Sequence, residues 1–270
     1  MSTPDPGDYG EPLQAETEDG LALSGVHLPG PDRSLAVVVG HGFTGSVSRH
    51  SVRRILEAAA TFAGVIACDF RGHGDSPGRS TLGDAEVLDL EAAVQAARER
   101  GYERIATLGF SMGGSVALRH AALRGGVDAV VSVSALSRWF VRDTLPMRRV
   151  HWLCETALGR ATARCLMRTR LVNHWDVVPE SPVEVVGRIP PTPLLIVHGD
   201  RDFYFPVEHP RALAAAAGPD ADLWIIAGMG HAELGTTPAL MSDIGRWIRA
   251  RTAGVDEVAP VADRSDPVGP

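Results

Sequence analysis

The stretch RIATLGFSMGGSVALRHAA, residues 104–122, joins an apolar run, a glycine-rich turn and a small-residue segment of helical character. It predicts a strand, a sharp turn and a helix, with Ser111 at the apex. A G-x-S-x-G turn forces its central residue into a strained backbone conformation, so the flanking positions need little or no side chain. The turn would expose the Ser111 hydroxyl above the strand end, where it could attack a carbonyl carbon.

Apolar runs alternate with helical periodicity through most of the chain. Residues 13–28 predict a hairpin of two short strands about Glu18-Asp19-Gly20. Continuous apolar runs predict strands that are buried on both faces, as in a parallel sheet. We therefore expect an α/β fold with a mostly parallel eight-stranded sheet and helices on both faces. Besides the strand before Ser111, the buried strands are predicted at 35–39, 65–68, 127–133, 194–197 and 223–226.

The alternating pattern stops near Ala135 and resumes after Pro193. We interpret residues 135–189 as a helical lid insertion, with helices near 147–157 and 161–169. The two ends of the chain are rich in Pro, Gly and Asp, which is typical of disordered segments. The predicted organisation is a disordered N-terminus at 1–12, core domain at 13–134, insertion at 135–189, core domain at 190–252 and a disordered tail at 253–270.

Four polar residues follow predicted strand ends: His41, Ser111, Asp202 and His231. In open α/β sheets, ligands bind outside the carboxyl ends of the strands. A serine hydroxyl is a weak nucleophile and needs a base within hydrogen-bond reach, oriented by a third group. The sequence therefore predicts a nucleophilic site at this edge of the sheet.

Five motifs share one family pattern and stand in its order. They are HGFTGS (41–46), DFRGHGDS (69–76), GFSMGG (109–114), HGDRDFYFP (198–206) and GMGH (228–231). On these residues the chain resembles the α/β-hydrolase superfamily over about residues 13–250, in particular serine esterases and lipase-like hydrolases with a short inserted lid. The resemblance implies the α/β-hydrolase fold and catalysis without a cofactor.

The resemblance also implies roles for individual residues. Ser111 would be the nucleophile and His231, in the glycine-rich loop after the last strand, the general base. The family pattern G-x-x-D maps onto 199–202 and selects Asp202 as the third member, while Asp200 is kept as the alternative. The backbone N–H groups of Phe43 and Met112 would form the oxyanion hole.

A substrate pocket is expected beside these residues. His41 and Gly42 would shape the oxyanion loop, with His41 in a structural role. Aromatic residues of the insertion and of the 198–206 motif would line an apolar pocket or pack the lid on the core. The candidate pocket residues are His41, Gly42, Trp139, Phe140, Trp152 and Tyr204.

Histidine and acidic residues elsewhere suggest no metal site. His73 and Asp75 more plausibly fix a tight loop through bonds to the backbone than form an acid–base pair. No His, Cys or Asp cluster has metal-ligand spacing, and no G-x-G-x-x-G follows a strand, so neither a metal nor a dinucleotide is expected. The chain has no lysine, which excludes Schiff-base chemistry through lysine.

Charge and hydropathy limit the partners. The net charge of −7 does not favour a nucleic-acid partner. No apolar stretch reaches the roughly 18 residues that span a membrane. The N-terminus lacks the pattern of a secretory signal, so we expect a cytoplasmic protein. The sequence does not predict the oligomeric state.

The insertion differs in charge from the rest of the chain. Residues 134–189 hold nine arginines against five acidic residues, about +4 by this count. A basic lid could attract anionic substrates such as acyl-CoA, acyl-carrier protein or phospholipid head groups. The alternative, a solvated helical face, is favoured.

The predicted activity is hydrolysis of a carboxylic ester or thioester, a small-molecule acyl substrate, through an acyl-enzyme on Ser111. Alternatives within the superfamily are a carbon–carbon bond hydrolase, an aminopeptidase and a cofactor-free haloperoxidase. An aminopeptidase would need an acidic group for the substrate's α-amino group. From another class, the chain could be a non-catalytic ligand-binding module on a hydrolase scaffold.

Overall fold

The structure, a computed structural model, describes residues 9–253. Eight strands form one sheet in the order β1-β2-β4-β3-β5-β6-β7-β8. β2 pairs antiparallel with both β1 and β4, and all other neighbours are parallel. The strands are β1 (Glu11–Glu16), β2 (Ala22–Leu28), β3 (Leu35–Gly40), β4 (Gly64–Cys68), β5 (Arg104–Phe110), β6 (Ala129–Val133), β7 (Leu194–Gly199) and β8 (Asp222–Ile226).

Helices connect the parallel strands and cover the sheet. Within the described part they are α1 (His50–Ala60), α2 (Glu86–Glu99), α3 (Met112–Leu123), α4 (Leu145–Glu155), α5 (Ala157–Met167), α6 (Pro182–Val185), α7 (Glu208–Ala217), α8 (Ala232–Gly235) and α9 (Pro238–Thr252). A 3-10 turn at Val186–Arg188 follows α6. No helix in residues 9–253 is both long and apolar enough to cross a membrane.

Alternation along the central strands divides the core into two layers. In β3, Ala36 and Val38 belong to the cluster that includes α2 and α3 side chains, while Val37 and Val39 pack with α1 and α9. Because successive side chains point to opposite faces of a sheet, an unbroken apolar strand needs cover on both sides. The predicted fold, an eight-stranded mostly parallel sheet between helical layers, is confirmed.

The predicted end of the disordered N-terminus needs correction. Glu11 and Pro12, assigned to the disordered N-terminus, lie in β1 because they pair with His27 and Val26 of β2. Of the predicted terminal segments, residues 1–8 and 254–270 lie outside the described part of the chain.

The first two helices of the insertion begin earlier than periodicity predicted. Threonines cap both of them: Thr144 Oγ1 accepts from Met147 N, and Thr156 Oγ1 accepts from Gly159 N at 2.9 Å. Each cap supplies an acceptor to an amide of the first turn that has no partner within the helix.

Candidate active site

Ser111 occupies a strained turn between β5 and α3. Its φ and ψ are 52° and −115°, a conformation that side-chain-bearing residues rarely adopt. The positions on either side of the turn have no room for a side chain, so they require glycine. A Cβ on Gly109 would lie 2.0 Å from the Gly113 carbonyl oxygen, and one on Gly113 would lie 2.3 Å from the Gly40 oxygen. The predicted sharp turn is therefore present, and the strand ends with Ser111 held at the start of a helix.

A hydrogen-bonded chain joins three of the predicted residues. His231 Nε2 lies 2.9 Å from Ser111 Oγ, and His231 Nδ1 lies 2.6 Å from Asp202 Oδ2. A carboxylate only accepts hydrogen bonds, so Nδ1 carries the proton and Nε2 faces Ser111 as an acceptor. The three residues come from the ends of β5, β7 and β8, which bring together positions up to 120 residues apart.

Asp202 is held in its ionised form. Burial alone would raise the pKa of this carboxyl group, but the hydrogen bond and charge of His231 and the Phe205 N–H outweigh it and lower the pKa. Asp202 Oδ1 accepts from the backbone N–H groups of Tyr204 at 2.8 Å and Phe205 at 3.1 Å. Hydrogen bonds therefore hold both carboxylate oxygens in place. Oδ1 is held by the two backbone N–H groups, so Oδ2 stays in position to orient His231.

Asp200, the alternative third member, lies in a different position. Its Oδ1 accepts from Gly228 N at 2.7 Å, and its own N–H donates to Ile226 O. These bonds tie the end of β7 to the turn after β8. The carboxylate that meets His231 is that of Asp202.

The loop after β3 is fixed by His41. Phe70 N donates to His41 Nε2 at 3.0 Å, so the ring proton is on Nδ1, which donates to the Gly42 carbonyl at 2.8 Å. Gly45 N donates to the same oxygen at 2.9 Å. In a trans peptide the C=O and N–H point in opposite directions, so this anchoring also orients the Phe43 N–H.

The two amides predicted for the oxyanion hole remain available. Among residues 9–253, Phe43 N–H has no hydrogen-bond acceptor. Met112 begins α3, so its N–H has no acceptor within the helix, and the positive end of the helix dipole lies there. Phe43 and Met112 both line the cavity that contains Ser111. Both N–H groups are therefore free to donate to a group bound beside Ser111.

Glu233, which the sequence reasoning missed, also reaches the oxyanion loop. Its Oε1 accepts from Gly42 N at 2.8 Å, across 191 residues of sequence. A Cβ on Gly42 would lie 3.3 Å from both Glu233 Oε1 and Ser111 Cβ, so the carboxylate stands close to the serine. Its position two residues after His231 was the available signal, because a residue so close in sequence must lie at the same edge of the sheet.

Ser134, at the end of β6, was also missed. Its Oγ accepts from Ala232 N at 3.0 Å, so it supports the residue directly after His231. Both residues have positive φ angles, 53° for Ser134 and 47° for Ala232. Backbone strain at two contacting positions beside a reactive centre indicates that the surrounding structure holds this loop in one geometry.

A cavity of about 1100 Å³ contains Ser111 and His231. Four of the predicted pocket residues line it: Gly42, Trp139, Phe140 and Tyr204. The Tyr204 ring covers His231, with ring centroids 4.4 Å apart.

Two predicted pocket residues do not line the cavity. His41 is buried behind the oxyanion loop, where it contacts Phe70. Trp152 stands on the outer side of α4, because α4 buries Met147 and Leu153 instead. None of the nine insertion arginines lines the cavity either, so the insertion does not provide the basic environment considered for an anionic substrate; the arginine in the lining is Arg49, beside α1.

The other titratable groups singled out in the sequence have local roles. His73 is fully buried, its Nδ1 lies 3.1 Å from the Arg71 carbonyl, and burial lowers its pKa to about 3. Asp75 pairs with Arg168 at 2.6 Å. Among residues 9–253 no group of three or more His, Cys, Asp or Glu residues is placed to hold a metal ion.

Comparison with known proteins agrees with this architecture. A family described as having the alpha/beta hydrolase fold matches residues 36–153. An esterase from Pyrococcus furiosus is 24% identical with a TM-score of 0.74, over 94% of this chain and 96% of the esterase. An α/β hydrolase from Penicillium is 20% identical with a TM-score of 0.70, over 90% and 99% of the two chains.

Est1E from Butyrivibrio proteoclasticus, whose structure has ferulic acid bound, is 20% identical with a TM-score of 0.63. That likeness spans 90% of this chain and all of Est1E. No curated protein sequence matches the chain. At these identities the likeness to solved structures establishes the fold. The family match over residues 36–153 and the solved structures agree on the α/β-hydrolase fold.

Proposed function

We propose that the protein is a serine hydrolase that cleaves a carboxylic ester or thioester through an acyl-enzyme on Ser111. The observation that carries the proposal is the unbroken hydrogen-bonded chain Asp202–His231–Ser111 in the wall of a large cavity. Two structural neighbours, the esterase from Pyrococcus furiosus and the ferulic acid-bound Est1E, support an acyl substrate.

The first half of the reaction forms the acyl-enzyme. Ser111 Oγ attacks the acyl carbon while His231 Nε2 takes the hydroxyl proton. The charge that develops on the carbonyl oxygen is stabilised by the Phe43 and Met112 N–H groups. Asp202 stabilises the imidazolium that forms. The tetrahedral intermediate then collapses, and the alcohol or thiol leaves with the proton from His231.

The second half releases the acid. Water gives a proton to His231 Nε2 as it attacks the acyl carbon, and the same amides stabilise the second oxyanion. His231 then returns the proton to Ser111 Oγ, which restores the free enzyme. The residues present supply every proton transfer, so the proposed cycle needs no metal or organic cofactor.

We further propose that residues 135–189 act as a lid that sets substrate size. Leu153 and Ala163 pack in one cluster with Phe43, and Val141 and Met147 pack with Phe205. The insertion thus rests on the loops that carry the oxyanion donor and follow Asp202. Since the cavity of about 1100 Å³ far exceeds an acetyl group, we expect turnover to rise with acyl size.

The test is hydrolysis of p-nitrophenyl esters of graded acyl length by the wild type, Ser111→Ala and Ser242→Ala. Ser242 is exposed on α9, outside the cavity lining, and its hydroxyl bonds only to Pro238 O of its own helix, so it is the control serine. Only Ser111→Ala should lose activity, by about 10³-fold or more. A fluorophosphonate should add its mass to the Ser111 peptide of the wild type. Equal hydrolysis by all three proteins would show that the nucleophile is a different group.

The same assay series separates the alternatives. Activity on aminoacyl p-nitroanilides above that on esters would favour an aminopeptidase. Ser111 that neither reacts with the fluorophosphonate nor hydrolyses any ester would favour the non-catalytic binding module.

A further inference from the structure

A row of aromatic side chains crosses the wall that the insertion contributes to the cavity. The ring centroids of Trp139 and Trp175 lie 5.3 Å apart, and those of Trp175 and Phe140 lie 5.9 Å apart. The Phe140 ring is followed by His151, with centroids 6.4 Å apart, and all four residues line the cavity. Both indole N–H groups already donate to backbone carbonyl oxygens at 2.6 Å. The tryptophans therefore offer a ligand ring surface rather than a hydrogen-bond donor.

The last ring of the row, His151, has one nitrogen bonded and one nitrogen free. Its Nδ1 lies 2.8 Å from Glu155 Oε1, and an Arg142 nitrogen lies 2.5 Å from the same oxygen. The hydrogen bond from His151 lowers the pKa of Glu155, and the charges of His151 and Arg142 lower it further. A charged carboxylate only accepts, so Nδ1 carries the proton and Nε2 is an acceptor. Among residues 9–253, no group bonds to His151 Nε2.

Helix stability does not account for the pair of His151 and Glu155. Glu155 is the last residue of α4, where a negative charge is opposed by the helix dipole. The His151 side chain is 14% exposed, and its Nε2 keeps contact with solvent. Because the ring lines the cavity, a bound ligand can reach this nitrogen from the cavity.

Helix α4 places His151 at a distance from the proposed nucleophile. Thr144, which caps the start of α4, donates from Oγ1 to the Tyr204 carbonyl oxygen at 3.0 Å, and the Tyr204 ring covers His231. His151 lies seven residues further along, about 10 Å at a rise of 1.5 Å per residue. It therefore faces a remote part of a ligand whose acyl carbon lies at Ser111.

An unbonded acceptor in an apolar wall discriminates between ligands. Met147, Val150 and Leu153 of the same helix also line the cavity, so the surroundings of His151 are mostly apolar. A ligand with an apolar group at this point displaces solvent and leaves Nε2 without a partner, which weakens binding. A ligand with a hydroxyl group replaces the lost hydrogen bond. Sites that bond a substrate hydroxyl reject the analogue that lacks it for this reason.

We propose that the preferred substrates carry a hydroxylated aromatic ring, whose hydroxyl group donates a hydrogen bond to His151 Nε2. The ring packs against Phe140 and the two tryptophans, and Glu155 holds the imidazole in the tautomer that accepts. His151 is in this role a specificity residue and Glu155 a positioning residue. The inference rests on the proposed function, since the substrate is the ester or thioester that Ser111 cleaves.

The experiment compares esters that differ only in a hydroxyl or a methyl group on the ring. Methyl esters of para-hydroxyphenylpropanoic and para-methylphenylpropanoic acid carry the ring on the acyl side. Acetates of para-hydroxyphenylethanol and para-methylphenylethanol carry it on the alcohol side. The wild type should favour the hydroxylated ester in kcat/KM by about tenfold on one of the two sides. The side with the preference is the part of the substrate that enters the insertion.

Substitutions in the wall separate its parts. His151→Phe keeps a flat ring and removes the acceptor, so kcat/KM for the hydroxylated ester should fall until the ratio is about one. Glu155→Ala should give an intermediate ratio, because the free imidazole exchanges between its tautomers, and Glu155→Gln, which keeps an oxygen acceptor, should restore it. The control is His174→Phe, an exposed histidine of the cavity lining after α5, which should keep the wild-type ratio. Circular dichroism and thermal unfolding should show that the variants are folded.

The ring contact has a separate test in Phe140→Leu. It should lower kcat/KM for both members of a pair alike and keep their ratio, since ring packing is weakened for both. An unchanged kcat/KM for both esters would overturn the place of the ring beside Phe140.

Binding to the Ser111→Ala protein separates this inference from the proposed function. Calorimetric titration should show that the hydroxylated ester binds about tenfold more tightly than its methyl analogue, and that Ser111→Ala/His151→Phe loses this difference, even if the wild type hydrolyses no ester. Turnover of p-nitrophenyl esters without a hydroxyl preference on either side leaves the proposed function standing and overturns this inference. A preference that His151→Phe retains, or that His174→Phe removes to the same extent, overturns it as well.

Discussion

Glu233 Oε1 accepts a hydrogen bond from Gly42 N at 2.8 Å and thereby connects the His231 loop to the oxyanion loop. The bond has two effects. It uses the Gly42 N–H, so Phe43 is left as the donor on this loop. It also couples the positions of the proposed base and the proposed oxyanion donor, which must be correct at the same moment in the reaction.

Replacement of Glu233 should therefore impair turnover more than binding. We expect Glu233→Ala to lower kcat by about 10- to 100-fold with a KM change below about threefold, because the loop is positioned for the transition state. Glu233→Gln keeps an oxygen acceptor and should stay within about fivefold of the wild type. The measurement is steady-state kinetics on the best p-nitrophenyl ester.

If Glu233 only stabilised the fold, Glu233→Ala would lower the free energy of unfolding but would not lower kcat while KM stayed nearly constant. Affinity for a trifluoromethyl ketone, which mimics the tetrahedral intermediate, should fall in parallel with kcat/KM across the Glu233 variants. Wild-type kcat in Glu233→Ala would show that the oxyanion loop is held without the carboxylate.

Ser134 should support the His231 loop through its hydroxyl group. Ser134→Ala leaves the Ala232 N–H buried without an acceptor, which costs about 1–3 kcal/mol of folding free energy. It should also lower kcat, because His231 is the neighbouring residue. The measurements are thermal unfolding and ester kinetics.

The matched variant Ser134→Gly separates hydrogen bonding from backbone strain. It removes the same hydroxyl but relieves the positive φ of 53°, so it should be more stable than Ser134→Ala and equally impaired in kcat. If kcat is unchanged in both variants, the loop does not depend on this bond.

Acid should destabilise the fold through buried histidines. Burial lowers the pKa of His73 to about 3, and burial followed by the charge of Arg138 lowers that of His209 to about 4. The unfolded chain takes up these protons near pH 6.5, so stability is full above that pH and falls as pH drops toward the folded values. Each histidine contributes a slope of up to about 1.4 kcal/mol per pH unit.

Urea unfolding at about pH 7.5 and about pH 5 measures this loss. His73→Gln and His209→Gln should each lose less stability between the two pH values than the wild type does, even if they start less stable. Comparing each variant with the wild type removes the contribution of all other groups. If both variants lose as much stability between the two pH values as the wild type does, these histidines are protonated in the folded protein as readily as in the unfolded chain.

The sequence predicted the features that depend on local pattern. The apolar runs of β3 and β7 and the glycines around Ser111 follow from short stretches of residues, and the catalytic candidates stand just after such runs. The helix faces of the insertion depend on tertiary packing instead. Trp152 was expected in the pocket, but only the packing of Met147 and Leu153 decides which side of α4 is outside.

Long-range contacts between loops also escaped the sequence. Glu233 contacts Gly42 across 191 residues, and a local sequence pattern does not indicate which residues so far apart will meet. The strand at Glu11 and Pro12 forms because β2 offers a pairing edge, although the residues themselves are weak strand formers. In each case a partner far along the chain decides the outcome.

The insertion enters after β6 and returns at β7, while Ser111, Asp202 and His231 stand at the ends of β5, β7 and β8. No member of the hydrogen-bonded chain lies within the inserted block. A gene lineage could therefore exchange this block for one of different length or composition in a single recombination event. The three proposed catalytic residues would be inherited together while the proposed lid changed, and a chimera with a foreign insertion grafted between β6 and β7 should still react with a fluorophosphonate.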